Sequence, residues 1–297
     1  MSTSTQPAVG AYATKSRKRS LYKDRTRHRA SAIAILVALV WLIPVYWMVK
    51  SAFEDDKSLL SKPPKFIVTN GTLKNFQRIL TDDSFWSAMR MSLTVSFITV
   101  VFATLFALMF SFSLSRYRFR ARATMIVLVL VVQMIPAEAL FISQYRMLDS
   151  IGLLNSAIGL GILYVGGHVP FMTWIMRGYV DAVPVDLEEA AQVDGCSRLG
   201  AFFRVTLPLL LPGIVATAVF GFLFAWNEYT LALIVLSKNS AHTLPMWLQT
   251  FQSGNLGYTD WGGVMAGATL MAVPVVVLFS LIQNRLGKTM TAGAVKG

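Results

Sequence analysis

Charged residues and cysteines are both scarce in this sequence of 297 residues. Only 14% of the positions carry Asp, Glu, Lys or Arg, whereas soluble domains carry about 25%. This low share of charge, together with 55% hydrophobic residues, disfavours a soluble globular protein. The single cysteine, Cys196, excludes a disulfide within this sequence and a metal cluster built from cysteines.

Residue patterns that form catalytic or nucleotide-binding sites are also missing. The three histidines, His28, His168 and His242, lie far apart, and neither an HExxH motif nor a nucleophile elbow occurs. The segment 287–289 ends like a phosphate-binding loop, but Ile282 stands where that pattern requires glycine. We therefore expect no catalytic residue, metal ligand, cofactor or ATP site in this chain.

Continuous apolar runs dominate the rest of the sequence. A transmembrane helix needs about 20 apolar residues, and unbroken runs differ from the alternating pattern of a membrane barrel. We predict an all-α membrane protein with six transmembrane helices, at residues 31–52, 88–113, 123–145, 155–178, 211–236 and 263–286. The first run is longer than a signal-peptide core and no small-residue cleavage site follows it, so we expect it to remain as a span.

The distribution of basic residues predicts the orientation of these spans. Eight basic residues and one acid lie between Lys15 and Arg29, and four arginines occur in 114–122. Lys and Arg concentrate on the cytoplasmic side of membranes, so we expect both termini and the loops 114–122 and 179–210 in the cytoplasm. Binding of the basic segment to anionic lipid headgroups is compatible with this placement, and nucleic-acid binding is not expected.

Three regions follow from these patterns. Residues 1–30 are predicted to be a basic, disordered N-terminus, residues 31–286 a transmembrane domain, and residues 287–297 a C-terminal tail. The segments 53–87 and 237–262, which are balanced in charge or nearly uncharged, are expected on the outer side of the membrane.

The loop 179–210 contains several signals for helix ends. Asp186 and Glu189 have the spacing of a capping box, and Gly195 is placed to end the helix that they begin. Ser197 can cap a second short helix, which Pro208 is expected to terminate. The loop is thus predicted to form two short helices joined by a glycine turn.

Two helices of this length are marginal in water without a partner surface. Ala190, Ala191 and Gly195 are small enough to admit a close neighbour, and Glu188 and Glu189 offer charge to basic residues opposite. We therefore expect the loop to insert into a groove of another protein. A short amphipathic connector at the membrane interface is the alternative.

The spacing in this loop resembles a known signature. Glu189-Ala190-Ala191, three residues, Gly195, nine residues and then Val205-Thr206-Leu207-Pro208 resemble the EAA motif of ABC importer permeases. Segments 115–119, 152–155 and 291–297 are similar to the MalG-like subfamily. The resemblance implies the type I importer permease fold, in which the loop 181–210 is a coupling helix that docks on an ATPase subunit. It assigns this coupling role to Glu188, Glu189, Ala190, Ala191, Asp194, Gly195, Leu207 and Pro208.

A MalG-like chain implies several partners in a bacterial cytoplasmic membrane. They are a second, MalF-like permease subunit, two ATPase subunits that bind ATP and Mg, and an extracytoplasmic solute-binding protein. The implied function is import of a mono- or oligosaccharide by alternating access. Import of glycerol phosphate or a polyol, ion-coupled secondary transport and a membrane-anchored scaffold remain open.

Polar residues within spans are candidates for the solute pathway, because ionisable groups in a membrane are costly. The candidates are Gln133 and Glu138 in the third span and Trp226, Asn227, Glu228 and Tyr229 in the fifth. Packing between helices, or a hydrated position at the membrane surface, is the alternative. In MalG-like subunits the loop 237–262 contacts the binding protein, which makes its aromatic residues contact candidates: Trp247, Phe251 and Tyr258. A belt of aromatic residues at the membrane interface is the alternative there.

Overall fold

The computed structural model describes residues 12–59, 61, 63, 65–68, 71–252 and 259–293, and every regular element in these ranges is helical. The α-helices are α1 (Tyr12–Ala52), α2 (Asp56–Leu59), α3 (Lys74–Leu80), α4 (Asp83–Arg116), α5 (Arg122–Val132), α6 (Phe141–Ser150), α7 (Ala157–Ala182), α8 (Val185–Val193), α9 (Arg198–Ala201), α10 (Leu207–Asn227), α11 (Thr230–Val235), α12 (Leu244–Gln249) and α13 (Trp261–Gly293). The predicted all-α fold class is confirmed.

Five continuous helical segments in the described part of the chain are long and apolar enough to cross a membrane. They are Arg29–Ala52, Asp83–Arg116, Ala157–Ala182, Arg198–Asn227 and Trp261–Gln283. The pair Arg122–Val132 and Ala137–Ser150 passes the same test together but is bent by 94°. The structure thus contains six spans when the bent pair counts as one.

The third span is broken, and the prediction of one continuous helix over 123–145 was wrong. The first half, α5, ends at Val132, and a 3₁₀ turn over Ala137–Leu140 leads into α6. Pro136 explains the break, because it has no N–H and its ring clashes with the carbonyl four residues earlier, which is that of Val132.

The fifth span begins and ends earlier than predicted. It runs from Arg198 to Asn227 instead of 211–236, because Glu228 is extended (φ −71°, ψ 130°) and breaks the helix before α11. Pro208 does not terminate a helix, contrary to the prediction. A π-helical turn over Phe202–Thr206 precedes it, and this wider turn gives the proline ring room while the helix continues.

The basic N-terminus also differs from the prediction. The structure describes residues 12–30 as a helix that is continuous with the first span, whereas residues 1–30 were expected to be disordered. No glycine or proline interrupts residues 12–43, and Lys and Arg are good helix formers. The first eleven residues lie outside the described ranges.

The core is a bundle of α4, α7 and α10 held by close backbone approach. A Cβ on Gly161 of α7 would lie 2.7 Å from Ile98 of α4, and a Cβ on Gly213 of α10 would lie 2.4 Å from the Tyr179 ring of α7. Small residues let membrane helices approach closely and gain van der Waals contact. These glycines therefore set the separation of the three spans.

Among the described residues, the polar and aromatic contacts of span 1 (Arg29–Ala52) with the rest of the chain lie in its last turns. Lys50 and Glu54 form a buried ion pair (Nζ–Oε2, 2.6 Å), and the Asn75 amide donates to the carbonyls of Ala52 (3.2 Å) and Glu54 (3.0 Å). The preceding turns are exposed on all sides, and Trp41 is 76% exposed. The apolar body of span 1 is therefore available to lipid or to another subunit.

Candidate functional site

The loop between α7 and α10 begins with α8, which starts two residues earlier than a capping box at Asp186 would require. Pro184 is the N-cap residue and no side chain caps the helix. Asp186 consequently lies in the first turn, where a negative charge favours the helix dipole, and does not cap. The predicted capping box of Asp186 and Glu189 was wrong.

The glycine turn after α8 is confirmed. Gly195 has φ +89°, a conformation that glycine adopts without the steric cost of a side chain. The N–H of Cys196 donates to the Ala191 carbonyl (3.0 Å) and that of Gly195 to the Gln192 carbonyl (3.1 Å), which is the hydrogen-bond pattern of a Schellman motif.

The next helix starts as the sequence predicts. The Ser197 hydroxyl accepts a hydrogen bond from the Gly200 N–H at 3.1 Å, so Ser197 is the N-cap. From Arg198 the chain stays helical through the π turn into α10. The loop is therefore joined to the fifth span without a flexible connection.

A partly buried ion pair attaches α8 to the end of α4. Arg116 Nε donates to Glu188 Oε1 at 2.8 Å, and Arg116 Nη2 donates to the Val183 carbonyl at 2.7 Å. The two side chains are only 8% and 13% exposed. The Glu188 carboxylate thus binds Arg116 within the chain. The sequence had led us to expect that it would offer its charge to another protein.

An aromatic contact adds to this attachment. The Phe112 ring of α4 meets the Phe202 ring at the π turn edge-on, with centroids 4.8 Å apart. The end of α4 therefore contacts the loop on both sides of the glycine turn. Arg116 binds Glu188, which precedes Gly195, and Phe112 packs on Phe202, which follows it.

The opposite side of the loop is open. The predicted coupling residues Glu189, Ala190, Asp194, Gly195 and Pro208 are exposed, whereas Ala191 and Leu207 are partly buried. Apolar side chains also project from this side: Val193 is 87% exposed and Leu199 is 71% exposed. We call the surface formed by Glu189, Ala190, Val193, Asp194 and Leu199 the loop tip.

The candidate cluster in the fifth span is mostly used inside the chain. Trp226 is buried, donates through Nε1 to the Met271 carbonyl (3.2 Å) and stacks on Phe222. The Glu228 carboxylate accepts hydrogen bonds from the Leu231 N–H (2.7 Å), the Ala232 N–H (3.1 Å) and the Tyr164 hydroxyl. Glu228 therefore caps α11 and joins it to α7.

The other members of the predicted pathway are scattered. Asn227 is exposed and Tyr229 is partly buried, beside the hydrophobic core. Gln133 and Glu138 are both exposed at the break of the third span, where the Gln133 amide donates to the Val129 carbonyl (3.0 Å). The six residues do not form one cluster.

The aromatic residues of the outer loop form packing contacts. Trp247 is 4% exposed, and its Nε1 donates to Ser84 Oγ at 2.9 Å. Its ring also meets Phe85 and Phe251. Trp247 therefore packs in the core of this chain, and its contact with a binding protein stays a prediction. Tyr258 lies outside the described residues.

Two observations concern titratable groups, one in the outer loop 237–262 and one in all the described residues. Partial burial lowers the pKa of His242, in the same loop, below its ordinary value of 6.5, so this imidazole is neutral at pH 7. In the part of the chain that the structure describes, no three His, Cys, Asp or Glu side chains gather as metal ligands do.

The contacts of Arg116 and Tyr164 were not predicted from the sequence. Arg116 was noted only as part of an arginine-rich turn, because a single sequence does not show that residue 116 meets residue 188. Tyr164 had no signal apart from being a polar residue within an apolar span.

Comparison with known proteins gives consistent matches over most of the chain. The model of the family described as "Binding-protein-dependent transport system inner membrane component" matches residues 84–292. The chain is 40% identical over 280 residues to the diacetylchitobiose uptake system permease protein DasC of Streptomyces coelicolor, which covers 94% of this chain and 100% of that protein. It is 31% identical to the trehalose/maltose transport system permease protein MalG of Thermococcus litoralis, over 89% and 95% of the two chains.

A solved structure has the same fold. It is the crystal structure of a bacterial ABC transporter involved in the import of the acidic polysaccharide alginate, which matches with a TM-score of 0.74 over 88% of this chain and 97% of that one. The identity is 21%, so this match speaks for the fold alone.

Proposed function

The chain belongs to the family of binding-protein-dependent transport system inner membrane components, and we propose that it is one permease subunit of an ATP-driven sugar importer. A multi-pass inner-membrane subunit of this family is consistent with the apolar helices of the structure. The importer takes up a mono- or oligosaccharide by alternating access, and ATP and Mg are bound by separate ATPase subunits.

The names of the relatives support a sugar as solute. DasC is named for diacetylchitobiose and MalG of Thermococcus litoralis for trehalose and maltose. The chain is similar to both over nearly its whole length. Glycerol phosphate or a polyol is the alternative solute. Ion-coupled secondary transport is less well supported, because the matched family is described as part of binding-protein-dependent transport systems.

The geometry of the loop supports its role in coupling. The loop tip is exposed, while the Arg116–Glu188 pair and the continuous helix from Arg198 attach the same loop to α4 and α10. A partner that moves the tip therefore moves two spans of the core with it. This combination of an open tip and stiff attachments is the observation that carries the proposal, and Glu189, Ala190, Asp194 and Gly195 are its contact residues.

The exposed spans support a second permease subunit. Span 1 is apolar and exposed over most of its length, and the bent third span exposes residues 131–140. A partner permease that covers these surfaces would pack helix against helix, as small and apolar faces do in membranes. The basic residues near the loop support a cytoplasmic location for the loop and both termini, with a solute-binding protein at the opposite side.

Reconstitution of the full complex in liposomes tests this function. The chain, a partner permease, the ATPases and the binding protein are assembled, and uptake of diacetylchitobiose, trehalose, maltose, glycerol 3-phosphate and glycerol is measured with and without ATP. We expect uptake of a sugar that needs ATP and is unaffected when ionophores remove ion gradients. Uptake that follows an ion gradient without ATP would contradict the proposal.

A pair of charge-reversing variants tests the coupling surface in the same liposomes. Glu189→Lys at the loop tip is expected to reduce copurification of the ATPase and sugar uptake together. Asp83→Lys, which replaces an exposed acid in the first turn of α4 at the other end of the protein, is the matched control and should leave both near wild type. Equal behaviour of the two variants would argue against docking at the tip.

A further inference from the structure

A histidine lies near the middle of span α7, away from the coupling loop. His168 is eleven residues after Ala157 and fourteen before Ala182, which corresponds to about 16 Å and 21 Å along the helix at 1.5 Å per residue. A polar imidazole at this depth is costly unless it faces a partner or a cavity.

The described contacts of His168 are aromatic. Its ring stacks on Phe224 of α10 with centroids 5.0 Å apart and planes 16° from parallel, and it lies 6.0 Å from the Tyr164 ring. Neither ring nitrogen is hydrogen-bonded to a residue that the structure describes, and the side chain is only partly buried. Both nitrogens therefore lack a hydrogen-bond partner among the described residues, while the stacking on Phe224 holds the ring in position.

The backbone next to His168 is bare, in the sense that no side chain covers it. Gly166 and Gly167 are exposed, and a Cβ on either would meet nothing within 4 Å. Pro170, within the same helix, has no N–H, so the Gly166 carbonyl four residues earlier lacks its usual helical donor. A ligand can approach the backbone closely here and find a carbonyl oxygen that accepts a hydrogen bond.

Neutral groups of α10 lie along the line of contact between α7 and α10, which we call the seam. Asn227 is exposed one turn after Phe224, and its amide nitrogen donates to the Leu223 carbonyl at 2.8 Å, which leaves the side-chain oxygen as an acceptor. The nearby Glu228 carboxylate is taken up by Tyr164 and two backbone N–H groups. The seam therefore offers hydrogen bonds and an aromatic surface without a free charge.

We propose that His168, Phe224, Asn227 and the Gly166 carbonyl form a contact site for a neutral polyhydroxylated solute on its way through the membrane. Hydroxyl groups can bond to the imidazole, amide and carbonyl, while the apolar face of a sugar ring packs on the part of Phe224 that His168 leaves uncovered, since Phe224 is 39% exposed. These residues provide no cation, so the site favours a neutral sugar over glycerol phosphate. The inference rests on the proposed function and deepens it, because it assigns part of the pathway to this subunit.

The first test replaces the imidazole either by an aromatic ring that cannot form a hydrogen bond or by an amide that can. His168→Phe and His168→Gln are compared in liposomes that contain the complete complex, with diacetylchitobiose, trehalose and maltose as probes. The readout is the number of sugar molecules imported per ATP hydrolysed. Loss of one hydrogen bond is expected to lower this ratio about fivefold in His168→Phe, with partial rescue in His168→Gln and unchanged stimulation of ATP hydrolysis by the binding protein.

The second test blocks the bare backbone. Gly167→Leu places a side chain over the proposed site, and Gly178→Leu is its matched control, because Gly178 is also exposed on α7 and a Cβ there also meets nothing within 4 Å. We expect the ratio of sugar to ATP to fall in Gly167→Leu and to stay near wild type in Gly178→Leu.

The outcomes separate this inference from the proposed function. Wild-type import of a sugar with unchanged ratios in His168→Phe and Gly167→Leu would overturn the contact site alone. Loss of the second permease from the purified His168→Phe complex would also overturn it, because His168 would then be a subunit contact. Wild-type import of none of the three sugars would contradict the proposed function and the neutral solute together.

Discussion

Removal of Arg116 should uncouple the loop from α4. We expect Arg116→Met to undock α8, because the variant leaves the Glu188 carboxylate partly buried without its partner and removes the donor to the Val183 carbonyl. Removing one partner of a buried pair costs about 3–5 kcal/mol, and the remaining exposure of 8% and 13% lowers this to roughly 2–3 kcal/mol.

This loss of free energy of roughly 2–3 kcal/mol lowers the population of the docked loop. At about 1.4 kcal/mol per factor of ten, the docked loop loses roughly 30- to 150-fold in population relative to the undocked loop. In liposomes with the full complex, we expect sugar uptake to fall by at least about tenfold. The ATPase should still copurify, because the loop tip itself is unchanged.

Two further variants sharpen the result. The double variant Arg116→Met/Glu188→Met removes both charges, and such replacements of a buried pair are often neutral, so uptake should recover most of its wild-type value. Arg118→Met removes an exposed arginine from the same turn and should change uptake less than about twofold. Wild-type uptake in Arg116→Met, or no recovery in the double variant, would refute the reasoning.

Three other predictions concern single positions. Gly195→Ala forces a side chain into a positive φ of 89° and should destabilise the turn by about 1–2 kcal/mol, which lowers uptake, whereas Gly195→Asn should be milder. Gly213→Ala should lower the melting temperature of the purified protein, because its Cβ would lie 2.4 Å from the Tyr179 ring; adding Tyr179→Ala should relieve this clash. Trp247→Ala should cost about 3–5 kcal/mol of stability, measured by thermal unfolding, while Trp261→Ala, at a residue 45% exposed, should cost about 0.5 kcal/mol or less. A melting temperature unchanged by Gly213→Ala or Trp247→Ala would contradict the packing described here.

The local signals in the sequence predicted the fold well. The apolar runs coincide with the five helices and the bent pair that could cross a membrane in the described part of the chain. Gly195 and Ser197 ended and began helices as expected. The errors occurred where prolines act differently in different settings. Pro136 breaks the third span, whereas Pro208 follows a π turn and stays inside a helix. Local propensity does not distinguish these cases, because the outcome depends on the geometry of the preceding turn.

The candidate site was less predictable. The motif in the loop 185–208 was visible because its residues are close in sequence. The sequence did not show that Trp247 and Glu228 form hydrogen bonds within the chain. Trp247 donates to Ser84, and Glu228 accepts from Tyr164. Polar and aromatic side chains look alike in sequence whether they face a ligand or pack in the core.

The sequence by itself determined that this protein crosses a membrane, roughly where it does so, and which loop resembles a coupling element. These features depend on hydropathy and on neighbours within about one helical turn. Only the tertiary structure decided that Arg116 reaches Glu188, that span 1 is largely exposed and that His168 stacks on Phe224 beside a bare backbone. Such pairings join residues more than fifty positions apart, and helix packing, which depends on the shapes of whole surfaces, brings them together.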